Sequence, residues 1–198
     1  SVANPSVKKL KTILSHAPEI SIPIMQCNDK KFINVATCGA PALVTNSGTD
    51  LIKEYTGKIS YYLDTLNNMF TLETFKYSLD LENGDSKKLE NFGFVVSQGL
   101  FAGGGVRVNT TNIPNFKEQF CFTTIDSDKL AVGLKELIRM QDEEFSFKDN
   151  NGEIFSESAG KIKIKSDIEI PVKLDGEEYS AKSFEFSKTD QVVNFLVF

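Results

Sequence analysis

The chain has 198 residues, 40% hydrophobic and 25% charged, enough for one large or two small cored domains of ordinary globular composition. Its net charge of −5, with 22 basic residues scattered along the chain, speaks against a surface that displaces counterions, so no direct nucleic-acid binding is expected. No apolar run approaches the ~20 residues that span a bilayer, so no transmembrane segment is expected either.

The first element predicted is a short helix. In "NPSVKKLKTILSHAPEI", Asn4 can cap and Pro5 suits the first helical position. Val7, Leu10, Ile13 and Leu14 recur at helical spacing and Pro18 ends the run. Residues 1–18 thus read as an N-terminal helical arm on a single β-rich domain spanning 1–198. "EISIPIMQ" and "KFINVAT" read as strands. After the loop "TNSGTD", capped by Thr49 or Asp50, a second helix runs to about Asn68. Its apolar stripe is Ile52, Tyr55, Ile59, Tyr62, Leu63, Leu66 and Phe70. Packing on a sheet explains that stripe better than lying on a membrane, because the polar face is not rich in lysine.

From Phe70 onward the pattern turns to strand. "FTLETFKYSLDL" alternates and ends at Asn83-Gly84, a strong hairpin turn. "FGFVVSQ", "GVRVN" and "EQFCFTTI" follow as strands, then a third helix over "SDKLAVGLKELIRMQ", capped by Ser127 or Asp128. "KIKIKSDIEIPVKL" keeps Ile162, Ile164, Ile168, Ile170, Val172 and Leu174 on one side of a long strand or strand pair. "DGEE" turns the chain, and "YSAKSFEFS" and "QVVNFLVF" close it. Three helices among about ten strands predict an α+β fold. It is mostly antiparallel β-sheet, sandwich or barrel-like, with about three helices packed on it.

The stretch "GLFAGGGVRVN" raises a choice between a phosphate cradle and a hairpin. A phosphate loop needs a strand, a glycine turn and a helix whose N-terminus faces the anion. Here "VRVNTTNIP" follows, which reads as strand, and no Gly-Lys-Ser/Thr ending is present. The reading is a hairpin whose apolar tip, Leu100 and Phe101, sits beside the hinge Gly103, Gly104 and Gly105. An apolar tip is expected to be covered, so these five residues form the candidate interaction loop.

No catalytic constellation stands out. His16 is the only histidine and lies at the end of the first helix, where it suits the helix dipole. The residue count leaves no His-based metal site, and Cys27 and Cys38 lack zinc-ligand spacing. "DLENGD" and "DNNGE" are partial calcium-loop look-alikes better read as turns. Adjacent carboxylates such as Glu143-Glu144 and Glu177-Glu178 could do acid-base work in principle, but at strand ends they read as solvated surface. Cys27, Cys38 and Cys121 are an odd count, expected as three free buried thiols.

The expected function is therefore a non-enzymatic structural or assembly subunit of a homo-oligomer that binds other assembly proteins. A virus- or phage-like particle component (tail tube, ring or capsid-associated protein) is the expected context. No catalytic residue, cofactor or metal is assigned. Cytoplasmic assembly or a virion is the favoured location, with secretion of a processed chain left open. Two alternatives remain at this point: a secreted ligand-binding or pore-forming protein, and an enzyme with a carboxylate pair in a β-rich cleft.

Overall fold

The computed structural model describes residues 17–41, 73–101, 107–109, 118–140 and 152–196. They form ten strands and one helix. In chain order the strands are β1 (Glu19–Cys27), β2 (Lys30–Phe32), β3 (Val35–Gly39), β4 (Phe75–Leu81), β5 (Ser86–Asn91), β6 (Gly93–Ser97) and β7 (Phe120–Ile125). The helix α1 (Leu130–Arg139) follows, then β8 (Ile154–Ala159), β9 (Lys161–Leu174) and β10 (Glu177–Leu196). All pairings between the named strands are antiparallel.

This corrects the α+β expectation. Among the described residues the fold is almost all antiparallel sheet, with a single ten-residue helix. The helices expected at the N-terminus and over residues 50–68 lie outside the described residues. Ser127 does precede α1 as a cap, its Oγ accepting from Lys129 N at 3.1 Å.

One strand also runs through a segment whose composition suggests a break. "SKTD" looks like a turn between two closing strands, yet β10 continues through it for 20 residues. Residues 189–191 there oppose Ile24 alone, between the pairs Met25–Lys188 and Pro23–Val192. Thr189 Oγ1 donates to Ile24 O at 3.0 Å and accepts from Gln191 N at 3.2 Å. The hydroxyl satisfies backbone groups that the ladder has lost, so the extra residues form a bulge and not a turn.

β9 organises the architecture because one of its edges is shared. Along one edge it pairs with β10 over nearly its whole length. Along the other, Ile162–Ser166 pairs with β4 and Val172–Leu174 pairs with β3. The sheet forks there: one branch continues as β3-β6-β7-β8, the other as β4-β5. The branches face each other. The rings of Tyr77 on β4 and Phe94 on β6 lie 5.4 Å apart although those strands do not pair. Lys87 on β5 sits 2.6 Å from Asp126 and over the Phe155 ring of β8. Between the branches lies one core that includes Phe94, Phe120, Phe122, Ile162, Ile164, Phe184 and Phe186. Each such side chain contributes roughly 1.5–3 kcal/mol by leaving water.

The Ile/Lys alternation of β9 places Ile162, Ile164, Ile170, Val172 and Leu174 inward as expected, but Ile168 is 57% exposed. The ladder explains the exception. Lys165 pairs with Ser183 and Ile170 with Ala181, so residues 166–169 oppose Lys182 alone. Four residues against one cannot stay in the pleat, and Ile168 rides outward on the excursion.

A polar network pins the seam between the branches. Tyr77 Oη lies 3.2 Å from Asn91 Oδ1 and accepts from Asn91 Nδ2 at 3.1 Å. It also donates toward Thr124 Oγ1 at 3.5 Å, and Thr124 donates to Gly93 O at 2.6 Å. Burial pushes the Tyr77 phenol up, so this hydroxyl keeps its proton.

Candidate functional site

Three chain segments meet beyond the end of β9. The first is the turn Asp175–Gly176, whose φ values of +49° and +100° fit a two-residue hairpin with both residues left-handed. Asp adopts that region because its short side chain bonds locally, and Gly adopts it without steric cost. The Asp175 carboxylate accepts from three successive amides of the β2–β3 turn. Ile33 N lies 2.6 Å away, Asn34 N 3.0 Å and Val35 N 2.9 Å. Asp175 N donates back to Val35 O at 2.9 Å. This clasp is why "KFINVAT" is two strands, β2 and β3, and not one.

The second segment holds the same turn from its other side. Gln98 N donates to Asn34 O at 3.2 Å. The buried Gln98 side chain donates through Nε2 to Pro23 O at 2.9 Å and to Ile33 O. A Cβ on Gly99 would fall 2.5 Å from Asn34 Oδ1, so any larger residue there would push the Asn34 side chain aside.

The third segment is the predicted hairpin. Phe101 and Arg107 form an antiparallel bridge, and Val108 N donates to Leu100 O at 2.9 Å. Phe101 is 47% exposed, with the Arg107 guanidinium 5.5 Å from its ring centroid. Arg107 N donates to Met140 O at 2.8 Å, tying the hairpin to the residue that follows α1. Leu100 is half-buried. Gly103, Gly104 and Gly105 lie outside the described residues, as does His16.

At this end of the molecule, a braced turn carries the exposed carboxylates of Glu177 and Glu178 at the start of β10. A run of contacts from Asp175 through Asn34 and Gly99 leads to exposed Phe101. The turn holds acidic groups on a rigid mount, and the exposed Phe101 ring follows two residues after Gly99, which abuts Asn34 of the clasped turn. Exposed carboxylates of this kind can act in proton transfer; among the described residues no group of three or more His, Cys, Asp or Glu side chains is placed to hold a metal ion. The three thiols do not serve as nucleophiles here. Cys27, Cys38 and Cys121 are free and buried, and burial pushes Cys27 and Cys38 up to about 12. Burial also raises Cys121, despite hydroxyl hydrogen bonds from Ser156 and Thr123.

Sequence reasoning placed Leu100 and Phe101 on a hairpin but missed Asp175 and Gln98. "DG" between two strands does mark a turn. Nothing local shows that its carboxylate bonds amides about 140 positions earlier in the chain. Among the described residues no helix is long and apolar enough to cross a membrane.

No protein-family model matches the sequence, and no curated protein matches it. Solved structures do match in fold. A proposed diacylglycerol kinase from Bacillus anthracis str. Sterne superimposes with a TM-score of 0.64 at 20% identity, covering 92% of this chain and 58% of that one. A diacylglycerol kinase structure from the same organism gives 0.60 at 16% identity, with 92% and 56% covered. A further proposed diacylglycerol kinase from it gives 0.62 at 18%, with 92% and 59% covered. The chain thus spans a little over half the length of these proteins.

The shared fold overturns the expected non-enzymatic assembly subunit and its virion context: this architecture is one found in kinases. The physical reason for the misreading is specific. Phosphoryl transfer needs little covalent chemistry from the protein; positioning and charge stabilisation do most of the work. The absence of a nucleophile and a histidine base in the sequence is therefore no argument against an enzyme.

Proposed function

We propose that this chain is the β-rich part of an enzyme that transfers a phosphoryl group to the hydroxyl of a lipid of the diacylglycerol class. The observation that carries the reading is the fold shared with diacylglycerol kinase structures over 92% of the chain. The site adds chemistry to what would otherwise be fold analogy. An acceptor hydroxyl needs a carboxylate within hydrogen-bond reach to take its proton as the new P–O bond forms. Glu177 is exposed and follows directly on the braced Asp175–Gly176 turn, which suits it to that role. Asp175 acts as a positioning residue, since the three amides of the β2–β3 turn occupy its carboxylate. Phe101, exposed at the same end, offers an apolar contact for an acyl chain. The phosphoryl donor site is assigned to the part of the kinase length that this chain does not cover.

The test is phosphoryl transfer from ATP to diacylglycerol in mixed micelles, measured on the natural protein. Glu177→Gln is expected to lower kcat about 100-fold while leaving the melting temperature unchanged. Absence of transfer to diacylglycerol or any other lipid hydroxyl overturns the reading. Full activity in Glu177→Gln removes that residue from its role.

A further inference from the structure

The outer face of the β5-β4-β9-β10 region carries a groove of about 820 Å³, within the range of small-ligand sites. The four-residue excursion of β9 forms one wall. Ser166 and Asp167 line it, and Ser166 Oγ donates to Lys76 O at 3.1 Å while accepting from Ile168 N at 3.3 Å. Bulges of this kind interrupt a ladder where side chains are being re-aimed.

Register shows what faces the groove. Tyr77 and Leu89 point into the core, so their neighbours Ser78 and Lys88 lie on the outer face. Lys88 pairs with Ser78, Ser78 with Lys165, and Lys165 with Ser183, giving one row across four strands. The next row reads Ser86, Asp80, Lys163, Glu185. That second row is paired mostly within itself, with Lys165 of the first row adding a weaker through-space pull on Glu185. Ser86 donates to Asp80 at 2.7 Å, and Lys163 is ion-paired to Glu185, whose carboxyl is held low by that hydrogen bond. The Lys88–Ser78–Lys165–Ser183 row contains no carboxylate. Lys182, alone opposite the excursion, adds a further ammonium, and Lys76 is shared with Glu90 at 3.4 Å. Among the described residues no carboxylate lies within ion-pair distance of Lys88, Lys165 or Lys182. In all, four lysines face two carboxylates, Glu90 and Asp167, across the groove.

We propose that this groove binds a phosphate monoester, with Lys88 and Lys165 closing on the phosphate from either side and Ser78 and Ser183 donating to its oxygens. Strand spacing puts Lys88 and Lys165 ~10 Å apart at their backbones. Two long side chains can therefore converge on one tetrahedral dianion seated over Ser78. A planar monoanion would satisfy one ammonium and leave the other facing it unpaired. Lysine acts on phosphate as a point charge, which tolerates either a free ester or one carried on a lipid headgroup. The site lies on the sheet face at mid-strand, away from the Asp175 turn, and does not depend on the proposed phosphoryl transfer.

The experiment titrates the full chain by calorimetry with glycerol phosphate. In a second arm it measures co-sedimentation with phosphatidylcholine vesicles, with and without phosphatidic acid. The double variant Lys88→Gln/Lys165→Gln is expected to bind at least tenfold more weakly in whichever arm the parent binds. Lys163→Gln, one row over and already paired, is expected to bind as the parent does. Binding in the soluble arm supports a free ester; binding only to phosphatidic acid vesicles supports a headgroup. The proposal is overturned if neither arm binds, if the double variant binds like the parent, or if Lys163→Gln loses as much as the double variant. The last result would reduce the effect to net charge. Unchanged melting temperatures in all variants exclude misfolding as the cause of any loss.

Discussion

Replacing Asp175 with Ala should destabilise the fold by more than the exposure of this turn suggests. The substitution removes the acceptor of three backbone hydrogen bonds, from Ile33 N, Asn34 N and Val35 N. Hydrogen bonds to a charged acceptor contribute roughly 1.5–3 kcal/mol each. The turn is exposed, so water can re-hydrate the freed amides, and the lower end applies with further discount. About 2–4 kcal/mol is the net expectation for the three together. A smaller backbone contribution of about 1 kcal/mol enters because Ala tolerates φ of +49° less well than Asp. Asp175→Gly separates the two contributions: it loses all three bonds but relieves the backbone, and should fall about 1 kcal/mol short of the Ala variant. Asp175→Asn keeps one carbonyl oxygen and should lose least. Urea-induced unfolding followed by tyrosine fluorescence measures all three. A loss below about 0.5 kcal/mol for the Ala variant, the range of ordinary surface substitutions, would refute the clasp as a structural device.

Three further outcomes follow from the buried groups. Tyr77→Phe leaves Asn91 Nδ2 without its phenol acceptor in the core and should cost roughly 1–3 kcal/mol; equality with the parent in urea unfolding would show that the seam network is dispensable. The Cys27 and Cys38 thiols, pushed up to about 12 by burial, and Cys121, raised in the same way, should resist iodoacetamide at pH 8 in the native chain. All three should react in urea without reductant; a crosslinked pair found by peptide mapping would contradict the free state. Desolvation lowers Lys188 from 10.5 to about 8. Between those values the unfolded chain holds more protons than the folded one, so this residue makes stability rise with pH. The raised thiols act oppositely above about 9, where only the unfolded chain releases their protons. Stability should therefore rise above pH 8 and turn over near pH 9, and Lys188→Met should abolish the rise; a parent whose stability falls steadily from pH 8 contradicts the assignment.

Local chemistry made most strands legible. Asn83-Gly84 turns between β4 and β5 with Gly84 at φ +90°, and "FGFVVSQ" and "EQFCFTTI" become β6 and β7 within a residue or two. The errors are where a long-range partner overrides a local signal. "SKTD" has turn composition, but Thr189 bonds β1 and carries the strand through. "KFINVAT" has unbroken strand composition, but Asp175 captures its central amides. Ile168 keeps the alternation on paper and loses it to an excursion set by β10. Of the candidate site, Phe101 was visible as an apolar residue beside glycines. Glu177 and Glu178 were visible as adjacent carboxylates and read as solvated surface, and Asp175 only as part of a turn, because an exposed carboxylate looks the same in sequence whether it is solvated or fixed.

The fork at β9 links the Asp175 turn to the lysine-lined groove. A strand paired along both edges cannot accept a new neighbour, so two branches can share β9 only if one neighbour ends before the next begins. β4 leaves after Ser166 and β3 joins at Val172. The residues between lose their ladder on that edge and must find other partners or leave the pleat. Ser166 answers with its hydroxyl, bonding Lys76 O and Ile168 N, and the chain swings out to wall the lysine groove. At its far end β9 is paired again on both edges, by β3 and β10, up to Leu174. The turn that follows is therefore rigid, and Asp175 arrives in register with the amides it clasps. One strand thus gives an outward excursion where its neighbours change and a doubly paired mount where they do not. The groove proposed above for a phosphate ester lies at the first, and the carboxylate proposed above as a base follows directly on the second.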